Sequence, residues 1–163
     1  MPAEQTGSVN VTPGSSQSSL ATASLPEPGW LKVRVAGGST VSIPSSPYDG
    51  FWRVYDSGGW EPDSVAVFRR FIDSHHSYID IGSWIGPTLL LGCQLAKRAY
   101  GIEPNPIAFA TLSRNITCNR PLTDNVQLFE LCVAPTSGKC SFGSREGGGG
   151  SMSSLLFSRE ETS

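Results

Sequence analysis

The sequence predicts an α/β fold: parallel strands joined by crossover helices, preceded by a β-hairpin and a disordered tail. Three observations predict it. Two short apolar runs, residues 78–81 and 99–102, each lead through a turn into a pattern at helical spacing. A third apolar run, residues 126–133, follows the second helical pattern, so two strand–helix–strand units share one parallel sheet with right-handed connections. Upstream, Leu31, Val33 and Val35 alternate with polar residues, Gly37-Gly38 turns the chain, and Val41 and Ile43 resume the alternation, as in a one-faced hairpin.

The elements follow in order. Residues 1–29 are rich in Ser, Thr, Pro and Ala without periodicity, and cannot bury enough surface to offset the entropy of ordering them. After the hairpin, Phe51, Trp52, Tyr55 and Trp60 read as an aromatic linker packed on the domain's flank. Glu61-Pro62-Asp63 opens a helix, because proline suits a first turn and acids suit the positive helix end. Val65, Phe68 and Ile72 make its apolar stripe, with Arg69 and Arg70 off it. His75-His76 feed the first strand at its N-terminal end, the wrong end for a site in an α/β sheet. Residues 87–97 form a helix burying Leu89, Leu90, Cys93, Leu95 and Ala96, ended by Lys97 and Arg98. Asn105 is the expected N-cap of the next helix and Pro106 its first residue, with Ile107, Ala110, Leu112 and Ile116 marking its course to residues 119–121. Beyond the third strand, 135–138 is a turn, 139–142 a short return strand and 147–150 a flexible glycine stretch.

Composition excludes several functions. With 163 residues, 16% charged and a net charge of −2, the chain suits one domain and has no basic face for nucleic acid or anionic membrane. No apolar run is long enough to span a membrane, and no Lys or Arg precedes Lys32, so a cytoplasmic chain is expected. Cys93, Cys118, Cys132 and Cys140 form no C-x-x-C pair, so zinc is not expected. The first three read as small core residues.

The chemistry concentrates where the first strand ends. Asp80-x-Gly82-x-x-x-Gly86 lacks the third glycine of a dinucleotide fingerprint, and its acid would repel a pyrophosphate brought to the same turn. A cationic amino or sulfonium group suits it better. Glu103 closes the second strand, where an acid holds a ribose diol by two hydrogen bonds. A cationic amino-acid end joined to a ribose describes S-adenosylmethionine. The competing reading is a strand–turn–helix with two surface acids.

Those residues also carry a resemblance. Tyr78-Ile-Asp-Ile-Gly-Ser-Trp-Ile-Gly86, Gly101-Ile-Glu-Pro-Asn-Pro106, Leu112-Ser-Arg-Asn115 with Asn119, Gly59-Trp-Glu-Pro62, and Gly138 with the glycine stretch before Leu155 resemble the FkbM-type methyltransferases. The resemblance implies the N-terminal half of a Rossmann-like class I methyltransferase sheet over residues 30–157, with 158–163 a tail. It implies S-adenosylmethionine as cofactor, transfer to an oxygen of a sugar or small-metabolite hydroxyl, and no catalytic base nameable here. Cofactor contacts are implied at Asp80, Gly82, Ser83, Trp84 and Gly86, with Glu61 near the methionine end. Glu103, Pro104 and Asn105 belong to the ribose, and Cys132 and Val133 border the adenine. The family's fourth-strand Asp-x-Glu-Gly segment does not occur, so the expectation is a truncated catalytic half. The first strand then has an open edge through which the chain self-associates. The alternative is a non-catalytic cofactor-binding or interaction module completed by a partner.

Overall fold

The computed structural model describes residues 29–136 except Gly37, together with Gly138 and two short strands farther on. The expected tail up to residue 28, the return strand at 139–142, the glycine stretch at 147–150 and the tail at 158–163 lie outside the described residues.

The hairpin forms as its alternation dictates. Strands β1 (Trp30–Arg34) and β2 (Thr40–Pro44) pair antiparallel, with Leu31 opposite Ile43 and Val33 opposite Val41. Val33, Val35, Val41 and Ile43 are fully buried. They pack in one core cluster with Trp52 and Tyr55 of helix α1 (Asp49–Asp56), which lies against β1. The aromatic linker expected here is therefore a helix. The turn that precedes it is held by Asp49: the Ser46 amide donates to Asp49 Oδ1 at 2.8 Å. Aromatic residues are weak helix formers, and it is burial of Trp52 and Tyr55 that makes this segment helical.

Helix α2 (Pro62–Phe71) starts where Glu61-Pro62 places it and lays Phe68 on the ring of Tyr78, 5.7 Å between centroids. The central sheet has order β3 (Ser77–Ile81), β4 (Arg98–Ile102), β5 (Val126–Phe129), all parallel, joined by α3 (Pro87–Leu95) and α4 (Pro106–Thr117). The third strand is shorter than its apolar run: it ends at Phe129, and residues 130–134 are not strand. Farther on, β6 (Gly143–Ser144) pairs antiparallel with β7 (Ser153–Ser154).

Both crossovers step in the same direction along the sheet, so with one hand they put both helices on one face. The register agrees. Tyr78, Asp80, Ala99, Gly101, Val126 and Leu128 share the covered face, while Ile79, Ile81, Tyr100, Ile102, Gln127 and Phe129 share the other. On that second face Ile79 is 59% exposed and Ile81 65%. Among the described residues strand β3 is an edge, and the hairpin forms a separate sheet rather than pairing with it.

Close approach is set by glycine. A Cβ on Gly92 of α3 would overlap the Tyr78 ring, and one on Gly101 of β4 would overlap Leu89. Polar side chains join the layers. Asn105 caps α4, accepting from the amides of Ile107 and Ala108 at 3.0 and 3.2 Å, as expected of it. Asn119 acts as a piece of strand. It accepts from Ser42 N at 2.7 Å and donates to Ser42 O at 2.9 Å, fixing the hairpin to the end of α4. The buried stripe of α4 is Ala108, Leu112, Asn115 and Ile116, so Ile107 and Ala110 of the expected stripe face outward. Cys118, expected in the core, is exposed because it is the C-cap residue on the solvent side of that stripe.

Gly92→Ala should destabilise the chain by about 1–3 kcal/mol, the usual cost of overpacking a well-filled core. Urea unfolding of wild type and variant reads it, and an unchanged midpoint would mean that Tyr78 moves aside freely.

Candidate active site

Strands β3 and β4 both end at the same edge of the sheet, and the candidate residues gather there because the strands are parallel. Glu103 is the centre of the arrangement. It is 5% exposed, and its carboxylate accepts from two backbone amides: Trp84 N to Oε2 at 2.9 Å and Asn105 N to Oε1 at 2.8 Å. The side chain at the tip of β4 thereby grips the turn after β3 and the cap of α4 together. A carboxylate has about four lone-pair positions, so two remain for a ligand.

The turn itself faces inward with its amides. Gly82 N and Ser83 N both donate to Ile102 O, at 2.8 and 3.1 Å, and Gly86 N donates to Ser83 O at 2.8 Å. With Trp84 N on Glu103, four turn amides are engaged inside the chain, so they form no cradle for a phosphate. The two glycines serve different ends. Gly82 has φ +81° and open space where a Cβ would stand, which leaves its backbone approachable from outside. Gly86 has φ +99° and would set a Cβ 2.8 Å from Leu112, so it is glycine for packing as well as for conformation. Trp84 holds φ +48°, an unusual state for a bulky residue, between Phe51 and Tyr48 at ring separations of 4.8 and 5.4 Å.

Asp80 is 8% exposed and sits on the helix side of the sheet. Its Oδ1 accepts the Tyr78 hydroxyl at 3.0 Å and its Oδ2 the Thr88 hydroxyl at 2.7 Å. Neither partner figured among the expected residues. Both were legible: Tyr78 is two residues away on the same strand face, and Thr88 lies in the first turn of the helix that the strand feeds. Burial pushes the Asp80 carboxyl above its ordinary range, opposed in part by the hydroxyls of Thr88 and Tyr78. Ser83 is fully buried with its hydroxyl on Asp80 O at 2.9 Å, so its side chain braces the turn from within.

The remaining expected residues lie around this centre. Pro104 and Asn105 follow Glu103 directly, half-buried. Cys132 is half-buried and Val133 exposed, just past the C-terminal end of β5, on the same sheet edge as the turn. Glu61 stands exposed at the start of α2 with φ +39°, its carboxylate accepting from Ser64 Oγ at 2.9 Å. It connects to the turn through rings: Trp60 on Phe51 at 5.9 Å and Phe51 on Trp84 at 4.8 Å. His75 and His76 are exposed at the opposite end of β3, His76 Nδ1 lying 2.8 Å from Asp73 Oδ1. The two acids of the motif are thus buried and hydrogen-bonded, and the surface-acid reading is set aside. Among the described residues no group of three or more His, Cys, Asp or Glu could hold a metal ion, and no helix is long and apolar enough to cross a membrane.

No family model matches the chain, and no curated protein matches it. Solved structures with a similar arrangement include an rRNA methylase from Streptococcus thermophilus at 16% identity, over 43% of this chain and 41% of that one, TM-score 0.39. A tRNA m1G37 methyltransferase from M. jannaschii matches at 17% identity over 69% of this chain and 32% of that one, TM-score 0.41. Precorrin 8w decarboxylase from Methanobacterium thermoautotrophicum matches at 26% identity over 42% of this chain and 36% of that one, TM-score 0.36. The chain spans well under half the length of each of them. Scores of this size carry no functional weight, so the reading that follows rests on the chain's own residues.

Thr88→Val should raise the Asp80 midpoint further, because it deletes a hydroxyl that favours the carboxylate. A raised folded-state value means that the native chain keeps its proton longer than the unfolded chain. This group's contribution to stability is therefore full below its unfolded value and is lost as pH rises through the folded one, and the variant should extend that window upward. Carbon-detected NMR titration of the carboxyl measures the midpoint. No movement would mean that the Thr88 hydroxyl does not reach Asp80 in solution.

Proposed function

We propose that the chain carries the cofactor-binding half of an FkbM-type, class I methyltransferase that binds S-adenosylmethionine and serves O-methylation of a small-molecule hydroxyl. The observation that carries this is Glu103: a buried carboxylate at the C-terminal end of β4, pinned by two amides with two acceptor positions left over. Such a group can accept from a hydroxyl-rich ligand, and a ribose diol supplies two donors at the right spacing. The donor set also fits the rest of the cofactor. Inward-facing turn amides and the buried acid Asp80 suit a cationic end over a pyrophosphate, and Gly82 leaves its backbone open to approach.

In this reading Glu103, Pro104 and Asn105 hold the ribose, and Cys132 and Val133 flank the adenine. Gly82, Ser83, Trp84 and Gly86 shape the turn, while Asp80 contributes negative charge behind it. Glu61 lies toward the methionine end. Bound S-adenosylmethionine supplies an electrophilic methyl group for in-line displacement by an acceptor oxygen. The chain's own part is to fix orientation, which is worth more to such a reaction than any single proton transfer. The domain extends over residues 30–157 in this proposal, with tails on both sides.

A second reading, an interaction module completed by another protein or another copy, draws on the open sheet face. Ile79, Ile81 and Phe129 are 59%, 65% and 40% exposed on one side of a sheet whose edge strand β3 has no second neighbour among the described residues.

Calorimetric titration tests the first reading. Glu103→Gln should weaken S-adenosylmethionine binding about ten- to a hundredfold, as loss of charged hydrogen bonds worth roughly 1.5–3 kcal/mol predicts. Glu130→Gln, on an exposed acid beyond β5, should leave it unchanged. Equal affinity in all three proteins would overturn the cofactor assignment. Light scattering over a concentration series tests the second. The wild-type chain should grow in mean mass and Ile81→Lys should stay monomeric, whereas a wild-type monomer throughout would remove the case for self-association.

A further inference from the structure

A cavity of about 280 Å³ lies between the end of the hairpin, the end of α1 and the start of α2, lined by Ala36, Tyr55, Gly58, Trp60, Pro62 and Val65. None of these residues belongs to the turn or to the Glu103 cluster. We propose that this cavity takes an uncharged, planar ring system of one or two rings carried by the methyl acceptor. The acceptor assignment rests on the methyltransferase reading, and the binding of a ring does not.

Chemistry of the walls limits the occupant. No lining side chain is charged, and the single phenolic hydroxyl, that of Tyr55, already donates to Pro87 O at 3.0 Å. Beside it the Trp60 indole N–H is the one further donor on a lining side chain, so a sugar or an ion brought here would lose its hydration and recover little of it, which disfavours both. Two walls are aromatic: the rings of Tyr55 and Trp60 lie 5.3 Å apart at 37°, packed on each other as one tilted aromatic surface against which a ligand ring can lie. The volume sits just below the usual range for small-molecule pockets, about 300–1,000 Å³, and so fits one or two rings rather than a whole nucleoside.

Two further observations point to a ligand. Backbone outliers collect on this rim: Ala36 at φ +47° lines the cavity, and Glu61 at φ +39° stands between lining residues Trp60 and Pro62. Of the non-glycine residues with positive φ among those described, the other is Trp84 in the turn. Such strain persists where surrounding structure enforces it and gathers at binding sites. The cavity is also joined to the turn by its own walls. Tyr55 reaches Pro87, the residue after Gly86, and Trp60 touches Phe51, which touches Trp84. A ring seated against Tyr55 and Trp60 is thereby one aromatic layer from the turn that orients the cofactor.

The test uses the full chain, labelled with ¹⁵N, titrated with indole and separately with glucose. Indole should produce saturable amide shifts at Ala36, Gly58, Trp60 and Val65, and glucose none there. Val65→Phe, which fills the cavity, should weaken indole binding about tenfold or more, the scale on which a pocket rejects a misfit. Trp60→Leu, which removes a wall, should weaken it as well. Retained shifts for the amides of β4 establish that each variant is folded. No saturable indole shift in the wild type, equal response to glucose, or unchanged affinity in both variants would overturn the proposal. S-adenosylhomocysteine, read at the amides of Gly82 and Gly86, separates the two readings. Its binding without indole binding overturns the ring site alone. Indole binding without it supports the ring site and overturns the site's link to a methyl acceptor.

Discussion

Everything at the candidate site depends on one carboxylate being held by two amides. Glu103 accepts from Trp84 N and Asn105 N, and those residues begin or end three separate pieces of structure: the turn after β3, the tip of β4 and the cap of α4. That grip, together with the Tyr48 and Phe51 rings on either side, holds Trp84 at φ +48°, a state a bulky residue leaves unless its neighbours keep it there. The same bond keeps Glu103 from reaching for water. A buried carboxylate with one amide on each oxygen is held in place by the fold, with acceptor capacity left over.

The second constraint is closeness of α3 to β3 and β4. Gly92 lets α3 touch the Tyr78 ring, and Gly101 lets Leu89, Leu128 and Ser83 meet over β4. This tight layer buries Asp80 and forces it to find partners, which Tyr78 and Thr88 supply. Polarity and packing are therefore coupled. The acid sits in a dense core because glycines admit the helix, and the helix supplies the hydroxyl that makes the acid tolerable. The hairpin is attached by an equally economical device, the Asn119 amide pairing with both backbone groups of Ser42 as a strand would.

Aromatic rings connect these parts. Tyr48 and Phe51 enclose Trp84, Phe51 meets Trp60, and Trp60 meets Tyr55, whose hydroxyl returns to Pro87. The chain of contacts runs from the turn through α1 to the mouth of α2. A displacement at the Trp60 end has packed side chains along its whole path to the turn, which is the physical condition for one end to influence the other.

Much of this was legible in the sequence. Period-two alternation gave the hairpin, apolar runs with glycine turns gave β3 and β4, and Asn105-Pro106 gave the start of α4, because each depends on residues near one another in the chain. The pairing of Asp80-x-Gly82 with Glu103 was legible too, since parallel strands must bring their ends to one edge of the sheet. Helix α1 was not, because its aromatic residues become helical only when Trp52 and Tyr55 are buried against β1. Nor was the truncation of β5 at Phe129, because an apolar run does not say which of its residues find a neighbour to pair with. The sequence by itself determined which residues carry charge and which backbone positions bend. Only the tertiary structure decided that Asp80 faces hydroxyls behind the sheet while Glu103 holds amides at its edge, because burial and hydrogen-bond partners belong to contacts between segments distant in the chain.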